Sequence, residues 1–478
     1  MAERTVDVAI IGAGTAGLAA YRRVREHTDR LVLIESGPHG TTCARVGCMP
    51  SKLLIAAAEA AHAVRDAPVF GIHAGPPRID GPAVMQRVRD LRDYFVGSVL
   101  EVVENFPAEH RLSGRARFID DHRLQVGDDV IVEAARIVIA TGSRPAYPSF
   151  LDVGDLLLTS DDVFEWQDLP GSVAVFGGGI IGLELGQALH RLGVRMRLFG
   201  KGGAVGPLSD PKVKDYAART FAAEFAFDPD AKVRSVQRRD GKVEVTFADA
   251  GGGERTERFE RLLAATGRRP NVERLGLENT SLELDAKGVP VFDRFTGQCG
   301  DSHIFIAGDA EDEVPLLHEA ADEGKIAGDN AGRYPDVRAQ TRRAPLGIVF
   351  SDPQIAIAGK SFRELQAAEI DHAIGEVSFE DQGRSRVINR NRGLLRLYGA
   401  HGTGLFVGAE MIGPAAEHVG HLLAWAAQQG LSVHEMLALP YYHPVIEEGV
   451  RTGLRDLNRQ LRMGPAPVPQ CLDCGPGG

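Results

Sequence analysis

Cysteine is scarce in this chain, with five residues out of 478. That excludes a small secreted scaffold in which bridges replace a core; in a reducing compartment a close pair is more often catalytic or metal-binding. A positive surplus is also missing. Lys and Arg total 54 against 65 Asp and Glu, a formal net charge of −11, and no basic stripe offsets it, so no nucleic-acid partner is expected. No apolar run reaches the ~18 residues of a membrane span, so no membrane association is expected either. The opening Met-Ala-Glu-Arg-Thr shows no apolar leader, and a cytoplasmic protein is the expectation. What remains is ordinary globular composition, 44% hydrophobic and 25% charged, at a length that suits several domains.

Two of the cysteines lie five positions apart in Cys43-Ala-Arg-Val-Gly-Cys48-Met-Pro-Ser-Lys52. Such thiols can close a disulfide across a tight loop if their Cα atoms come within roughly 4.4–6.8 Å. A helix beginning just beyond Cys48 would aim backbone N–H groups at its sulfur and favour the thiolate. The pattern predicts a reactive, reducible pair rather than a staple.

Upstream, a strand at Val6–Ile11 runs into Gly12-Ala-Gly14-Thr-Ala-Gly17, an Ala-rich helix, and a second strand ending on Glu35. This order suits a dinucleotide. Gly12 makes the turn, Gly14 admits pyrophosphate to the backbone, Gly17 permits close packing, and Glu35 can accept ribose hydroxyls. The unit recurs at Ser172–Phe176, Gly177-Gly-Gly179-Ile-Ile-Gly182 and the strand Val194–Phe199. Counting 23 residues from the first glycine reaches Glu35 in one unit (12 + 23) and Gly200 in the other (177 + 23), with Lys201 following. Losing the acid and gaining a cation removes repulsion toward a 2′-phosphate, so NADPH is expected to be tolerated; the alternative is that Lys201 is simply a solvated loop charge. Three further strand ends carry glycine: Ala140-Thr141-Gly142-Ser143, Thr266-Gly267-Arg268, and Gly308-Asp309, where the carboxylate could bind a polyol.

The expected class is α/β: two Rossmann-like nucleotide-binding domains and a C-terminal α/β domain. Residues 1–145 begin the first domain, with an irregular, helix-rich stretch near 51–106; 146–274 form the inserted second domain; 275–344 return to the first; 345–462 form the third. Residues 463–478 read as a flexible tail carrying Cys471 and Cys474. That pair could shuttle electrons or bind a soft metal ion, or be an incidental disordered end. One CxxC cannot complete a four-ligand zinc site, so no resident metal is expected.

The chain resembles the FAD-dependent pyridine nucleotide-disulfide oxidoreductases, the group that includes dihydrolipoamide dehydrogenase, glutathione reductase and mercuric reductase. The resemblance runs from about residue 5 to 460 through GAGTAG at 12–17, TTCARVGCMPSK at 41–52, ATGS at 140–143, GGGIIGLELG at 177–186, AATGRRPN at 264–271, IFIAGDA at 304–310, FSDPQIAIAG at 350–359 and YYHPVIEEG at 441–449. It implies FAD held by Gly12, Gly14, Gly17, Glu35, Lys52, Thr141, Gly142, Ser143 and Asp309, with Leu317 and His318. It implies NAD or NADP held by Gly177, Gly179, Gly182, Gly267 and Arg268, with Lys201 added by the argument above. It makes the C-terminal domain a dimerisation domain and the protein a homodimer, in which His443 approaches the disulfide of the other subunit.

By the same resemblance, electrons pass from nicotinamide through flavin to the Cys43–Cys48 disulfide. Cys48 is the thiol nearest the flavin and Cys43 the interchange thiol. Exchange needs thiolate, so a base must move protons; His443 takes that role, oriented by Glu448. Lys52 sits beside the flavin and pairs with Glu184. The expected substrate is a small-molecule or protein-bound disulfide or dithiol, with a lipoyl group favoured. Glutathione reductase and mercuric reductase chemistry are the alternatives, and a flavin-binding interaction protein without turnover is the reading from another class.

Overall fold

In a computed structural model of the protein, the described residues are 2–249 and 251–462. The predicted tail, with Cys471 and Cys474, lies outside them.

The N-terminal strand Ala2–Ile11 pairs in parallel with Leu31–Glu35 on one side and Val130–Ile139 on the other. Ile304–Ile306 adds a parallel strand beyond Val130–Ile139, although almost the whole second domain separates them in sequence. The registers of Leu31–Glu35 and Ile304–Ile306 put Ile34, Ile11, Ile139 and Ile306 in one row. The glycine loop, the 140–143 turn and Asp309 therefore all leave the sheet at one edge. Parallel strands covered on both faces are apolar throughout, and Val8–Ile11 and Ile304–Ile306 are buried without interruption. The helix Leu317–Arg333 lies directly on Thr15–Val24. A Cβ on Gly328 would come within 2.6 Å of the Ala20 backbone, so only glycine lets the two helices approach this closely.

The second parallel sheet runs in the order Ala226–Asp228, Arg195–Phe199, Ser172–Phe176, Arg261–Ala264 and Leu157–Thr159. An antiparallel three-stranded sheet, Val233–Arg239, Lys242–Ala248 and Glu254–Phe259, packs beside it through Phe247, Phe259 and Phe199. The third unit is a five-stranded antiparallel sheet in the order Leu346–Val349, Gln354–Gly359, Phe406–Gly413, Leu394–Ala400 and His372–Ser378. It is backed by the helices Ala416–Gln428 and Glu448–Leu461.

The stretch near 51–106 is helix-rich, as expected, but not irregular: the helices Cys48–Asp66 and Gly81–Glu104 pack on each other through Leu54, Ile55, Ala58, Met85 and Val88. Asp80 caps the second by accepting from Ala83 N–H. Among the described residues no helix is long and apolar enough to cross a membrane.

Candidate active site

Cys43 lies in the one-turn helix Thr42–Val46, and Cys48 is the first residue of the long helix Cys48–Asp66 rather than the one preceding it. The sulfur thus sits inside the first turn, where backbone N–H groups are unpaired and the helix dipole favours negative charge. The two thiols hydrogen-bond to each other. That bond, with help from the Lys52 ammonium, lowers the Cys48 pKa to about 6 against the opposing effect of burial. Donating that bond, and being partly buried, raises Cys43 well above the ordinary thiol range. A single thiolate shared across the pair results, resting on Cys48.

Lys52, one turn on, meets Glu184 at 2.9 Å. Glu184 is buried in the helix Ile180–Arg191 of the second sheet and also accepts from Phe350 N–H at 2.9 Å. Lys52 lies 4.5 Å over the Phe350 ring. Three distant segments therefore lock the Cys48 helix at one point.

Thr41 was missed by sequence reasoning. Its backbone has φ 60° and ψ 149°, a region that is close to glycine-only, and its hydroxyl accepts from Ala44 N–H at 3.2 Å to cap the Cys43 turn. No composition or spacing signal marks a threonine as bearing that strain.

His443 and Glu448 are brought together at the start of the helix Glu448–Leu461. The His443 Nδ1 stands 3.0 Å from Glu448 Oε1. Glu448 is 2% exposed and faces other donors, the Val445 N–H and Arg451. A carboxylate among donors accepts, so Nδ1 donates to it, and in the neutral ring Nε2 is the nitrogen left with a lone pair. The imidazole side chain is 55% exposed. Among the described residues of one chain, no hydrogen bond or ion pair connects this couple to the cysteines.

The two glycine loops are near copies. A Cβ on Gly17 would fall on the Gly12 carbonyl, and one on Gly182 on the Gly177 carbonyl, while Gly12 and Gly177 carry φ of 108° and 116°. The middle glycines differ in kind, since a Cβ on Gly14 or Gly179 would meet nothing within 4 Å. Both following helices lack a side-chain N-cap, as does Leu317–Arg333, leaving N–H groups free for phosphate or a polyol at Leu317 and His318. The Thr141 hydroxyl is buried without a partner, and Gly142 is open. Ser143 donates to Asp309 at 2.7 Å. An orphaned hydroxyl, open glycine backbone and uncapped helices fit a flavin dinucleotide at the first loop and a nicotinamide dinucleotide at the second.

Gly14→Val should therefore leave the fold intact and fill the cradle. Purified protein is expected to carry less than about a tenth of the wild-type flavin per chain with an unchanged circular dichroism spectrum. A full complement of flavin would refute the cradle.

The loops diverge at the strand ends. Glu35 accepts from Ala13 N–H at 2.7 Å and also from Ser36 and Gly37, tying the strand to the glycine loop. Gly200 is buried, and a Cβ there would stand 2.6 Å from the Pro229 carbonyl oxygen. An acid cannot be accommodated. Backbone takes its place, with Gly206 N–H donating to the Gly178 carbonyl at 2.7 Å. Lys201 is exposed beside this loop. Gly267 is open at φ 129°, but Arg268 turns toward the flavin-side strand end, donating to Ser143 Oγ and O at 2.8 Å each. It ties two strand ends together, with its guanidinium shared between Ser143 and the Asp161 carboxylate at 3.7 Å.

Two Rossmann-type dinucleotide cradles, a thiol pair at a helix start and an antiparallel third domain define a flavoprotein disulfide reductase. Residues 6–324 match the pyridine nucleotide-disulphide oxidoreductase family and residues 346–453 its dimerisation domain. The chain belongs to that family, whose members use FAD and NAD(P) and a redox-active disulfide, and the dimerisation domain supports a homodimer. It is 33% identical over 452 residues to a mercuric reductase of Streptomyces lividans, covering 92% of this chain and 93% of that protein. It is 29% identical over 459 residues to a dihydrolipoyl dehydrogenase of Haloferax volcanii, covering 93% and 94%. In fold it resembles the HOCl-induced flavoprotein disulfide reductase RclA of Escherichia coli, with a TM-score of 0.79 at 20% identity over 95% of this chain and 99% of that one. LpdA of Mycobacterium tuberculosis gives the same TM-score at 24% identity, with the same coverage.

Proposed function

We propose that this protein passes electrons between NAD(P)(H) and a dithiol or disulfide substrate, with a lipoyl group the favoured one. The observation that carries this reading is the His443–Glu448 couple. Interconverting a dithiol and a disulfide moves two protons, and a neutral imidazole with Nε2 free and Nδ1 anchored on a buried carboxylate is built to move them. FAD, when bound, supplies the two-electron relay between the nicotinamide and the cystine.

The chain's own residues do the rest. Cys43, held neutral, is the thiol that exchanges with substrate once His443 of the second subunit takes its proton. Cys48 holds the thiolate, supported by the Cys43 hydrogen bond and Lys52. Glu184 fixes Lys52. Gly12, Gly14, Gly17, Glu35, Thr141–Ser143, Asp309, Leu317 and His318 hold the flavin nucleotide; Gly177, Gly179, Gly182 and Gly267 hold the nicotinamide nucleotide. Arg268 serves as a strut between Ser143 and its own strand rather than as a nucleotide ligand. We take the domain limits as 1–145, 146–274, 275–344 and 345–462, a division that the separate sheets support, and the cytoplasm, where thiols stay reduced, suits the chemistry.

Metal-ion reduction is the second reading, favoured by the likeness to the Streptomyces lividans mercuric reductase. A grid of lipoamide, oxidised glutathione and Hg(II), each with NADH and NADPH, separates the readings. Lipoamide turnover above the others supports ours; Hg(II) reduction with inert disulfides overturns it. The same grid tests the nucleotide. With no acid possible at Gly200, NADPH should be used at least as well as NADH, and Lys201→Ala should raise the KM for NADPH about 5- to 10-fold while sparing NADH. An unchanged KM would make Lys201 a bystander.

A further inference from the structure

The loop that carries His443 joins the helices Val433–Ala438 and Glu448–Leu461, and its side chains are largely solvent-facing; Tyr442 is 80% exposed. Such a loop would wander unless its backbone were held. Two polar side chains hold it at one residue. Glu448, already bonded to His443, accepts from Val445 N–H at 3.2 Å. The opposite side of the same residue is held by Gln382, whose Nε2–H donates to the Val445 carbonyl at 2.7 Å.

Gln382 is itself fixed. It is 7% exposed and is the N-cap of the short helix Gly383–Val387, where its Oε1 accepts from Ser385 N–H at 2.7 Å and from Ser385 Oγ–H at 2.8 Å. Ser385 is fully buried. A side-chain amide with both ends committed in a buried place has no freedom to drift, and so the residue two beyond His443 is fixed from both N–H and C=O.

We propose that Gln382 is a positioning residue for the His443 base, acting through Val445 and without touching substrate. The inference rests on the reading of His443 given above. An imidazole that must meet a sulfur on another subunit tolerates little displacement, since an error of about 1 Å in a reacting group can cost 10²-fold.

The test uses the flavin-loaded dimer and two half-reactions followed by rapid mixing: reduction by NADPH, and reoxidation by whichever of oxidised lipoamide and oxidised glutathione the wild type turns over faster. Gln382→Met keeps the volume and removes all three hydrogen bonds. Gln382→Glu, assayed at about pH 8 where a carboxyl is ordinarily ionised, keeps an oxygen for Ser385 and removes the N–H from Val445, which covers the case that the Met variant does not fold. Either should slow reoxidation about 10- to 100-fold and leave reduction by NADPH within about 2-fold. In a His443→Ala background the same change should cost nothing more, because the group being positioned is gone.

Equal slowing of both half-reactions, or additive losses in the double variant, would assign Gln382 a merely structural role and overturn the proposal. Reoxidation unchanged by Gln382→Glu but slowed by His443→Ala would overturn it while sparing the reading of His443. Fast reoxidation in His443→Ala would overturn that reading itself, and the proposal with it.

Discussion

Replacing Cys43 by Ser or by Ala should abolish turnover with any disulfide, by about three orders of magnitude or more, because no second nucleophile can stand in for the exchanging thiol. The two variants are expected to part company at Cys48. The largest cause of its lowered pKa is the hydrogen bond from Cys43, followed among the stabilising effects by the Lys52 charge, while burial works the other way. A serine hydroxyl can still donate to the thiolate; an alanine methyl cannot. In Cys43→Ser, alkylation of Cys48 by iodoacetamide should therefore persist down to about pH 6. In Cys43→Ala the half-point should move upward toward the ordinary thiol value near 8.5. The sign is fixed by which species reacts: only the thiolate is alkylated, so raising the pKa lowers the rate at any pH below it. Identical half-points in the two variants would mean that the bond from Cys43 does not support the thiolate.

The second large effect is expected at His443. Positioned general bases contribute about 10²–10⁴-fold, so His443→Ala should lose that much in the oxidation of a dithiol substrate. Glu448→Gln is a subtler change. The carboxylate holds the proton on Nδ1 and stabilises the imidazolium, and an amide can present its N–H₂ instead, turning the ring or its tautomer away from use. A loss of about 10- to 100-fold is expected, with the rate of reduction by NADPH preserved in both variants. Mixed subunits supply the decisive arm. A heterodimer of Cys43→Ala and His443→Ala chains assembles one site with both groups intact and one with neither. About half of the wild-type activity is expected from it, although each homodimer is inactive. An inactive heterodimer would refute a site shared between chains.

Much of this site could be read before any coordinate was known, because its parts are local. Gly12, Gly14 and Gly17 announce a cradle through their spacing: Gly17 answers the Gly12 carbonyl within one strand–turn–helix unit and Gly14 stays open, while Gly12 answers the Ala140 backbone. Cys43, Cys48 and Lys52 share one turn-and-helix segment, so their proximity follows from their order in the chain. His443 and Glu448 stand either side of a helix start, again within five residues.

The residues that escaped detection act across long separations or through backbone. Gln382 meets Val445 from 63 positions away and carries no motif. Asp210 is wholly buried and takes Arg396 and the Tyr398 hydroxyl from another domain, yet in sequence it is only an acid before a proline. The stretch past Lys52 was legible as helix-rich but not as regular, because alanine-rich amphipathic segments signal their faces weakly. Arg268 was expected close to the nicotinamide nucleotide from its place beside Gly267, and its reach to Ser143 depended on where Ser143 lay in the fold.

Gly200 draws the line between the two kinds of knowledge. By itself the sequence determined that an acid is missing there, that two dinucleotide cradles exist, and that a thiol pair stands at a helix entry, because spacing within one element dictates those contacts. Only the tertiary structure decided why the acid is missing: the backbone of Pro229, from the neighbouring strand end, occupies the space that a Cβ would need. The helix entry already pointed to Cys48 as the thiolate; the folded structure adds the hydrogen bond from Cys43 that supports it and the burial that opposes it.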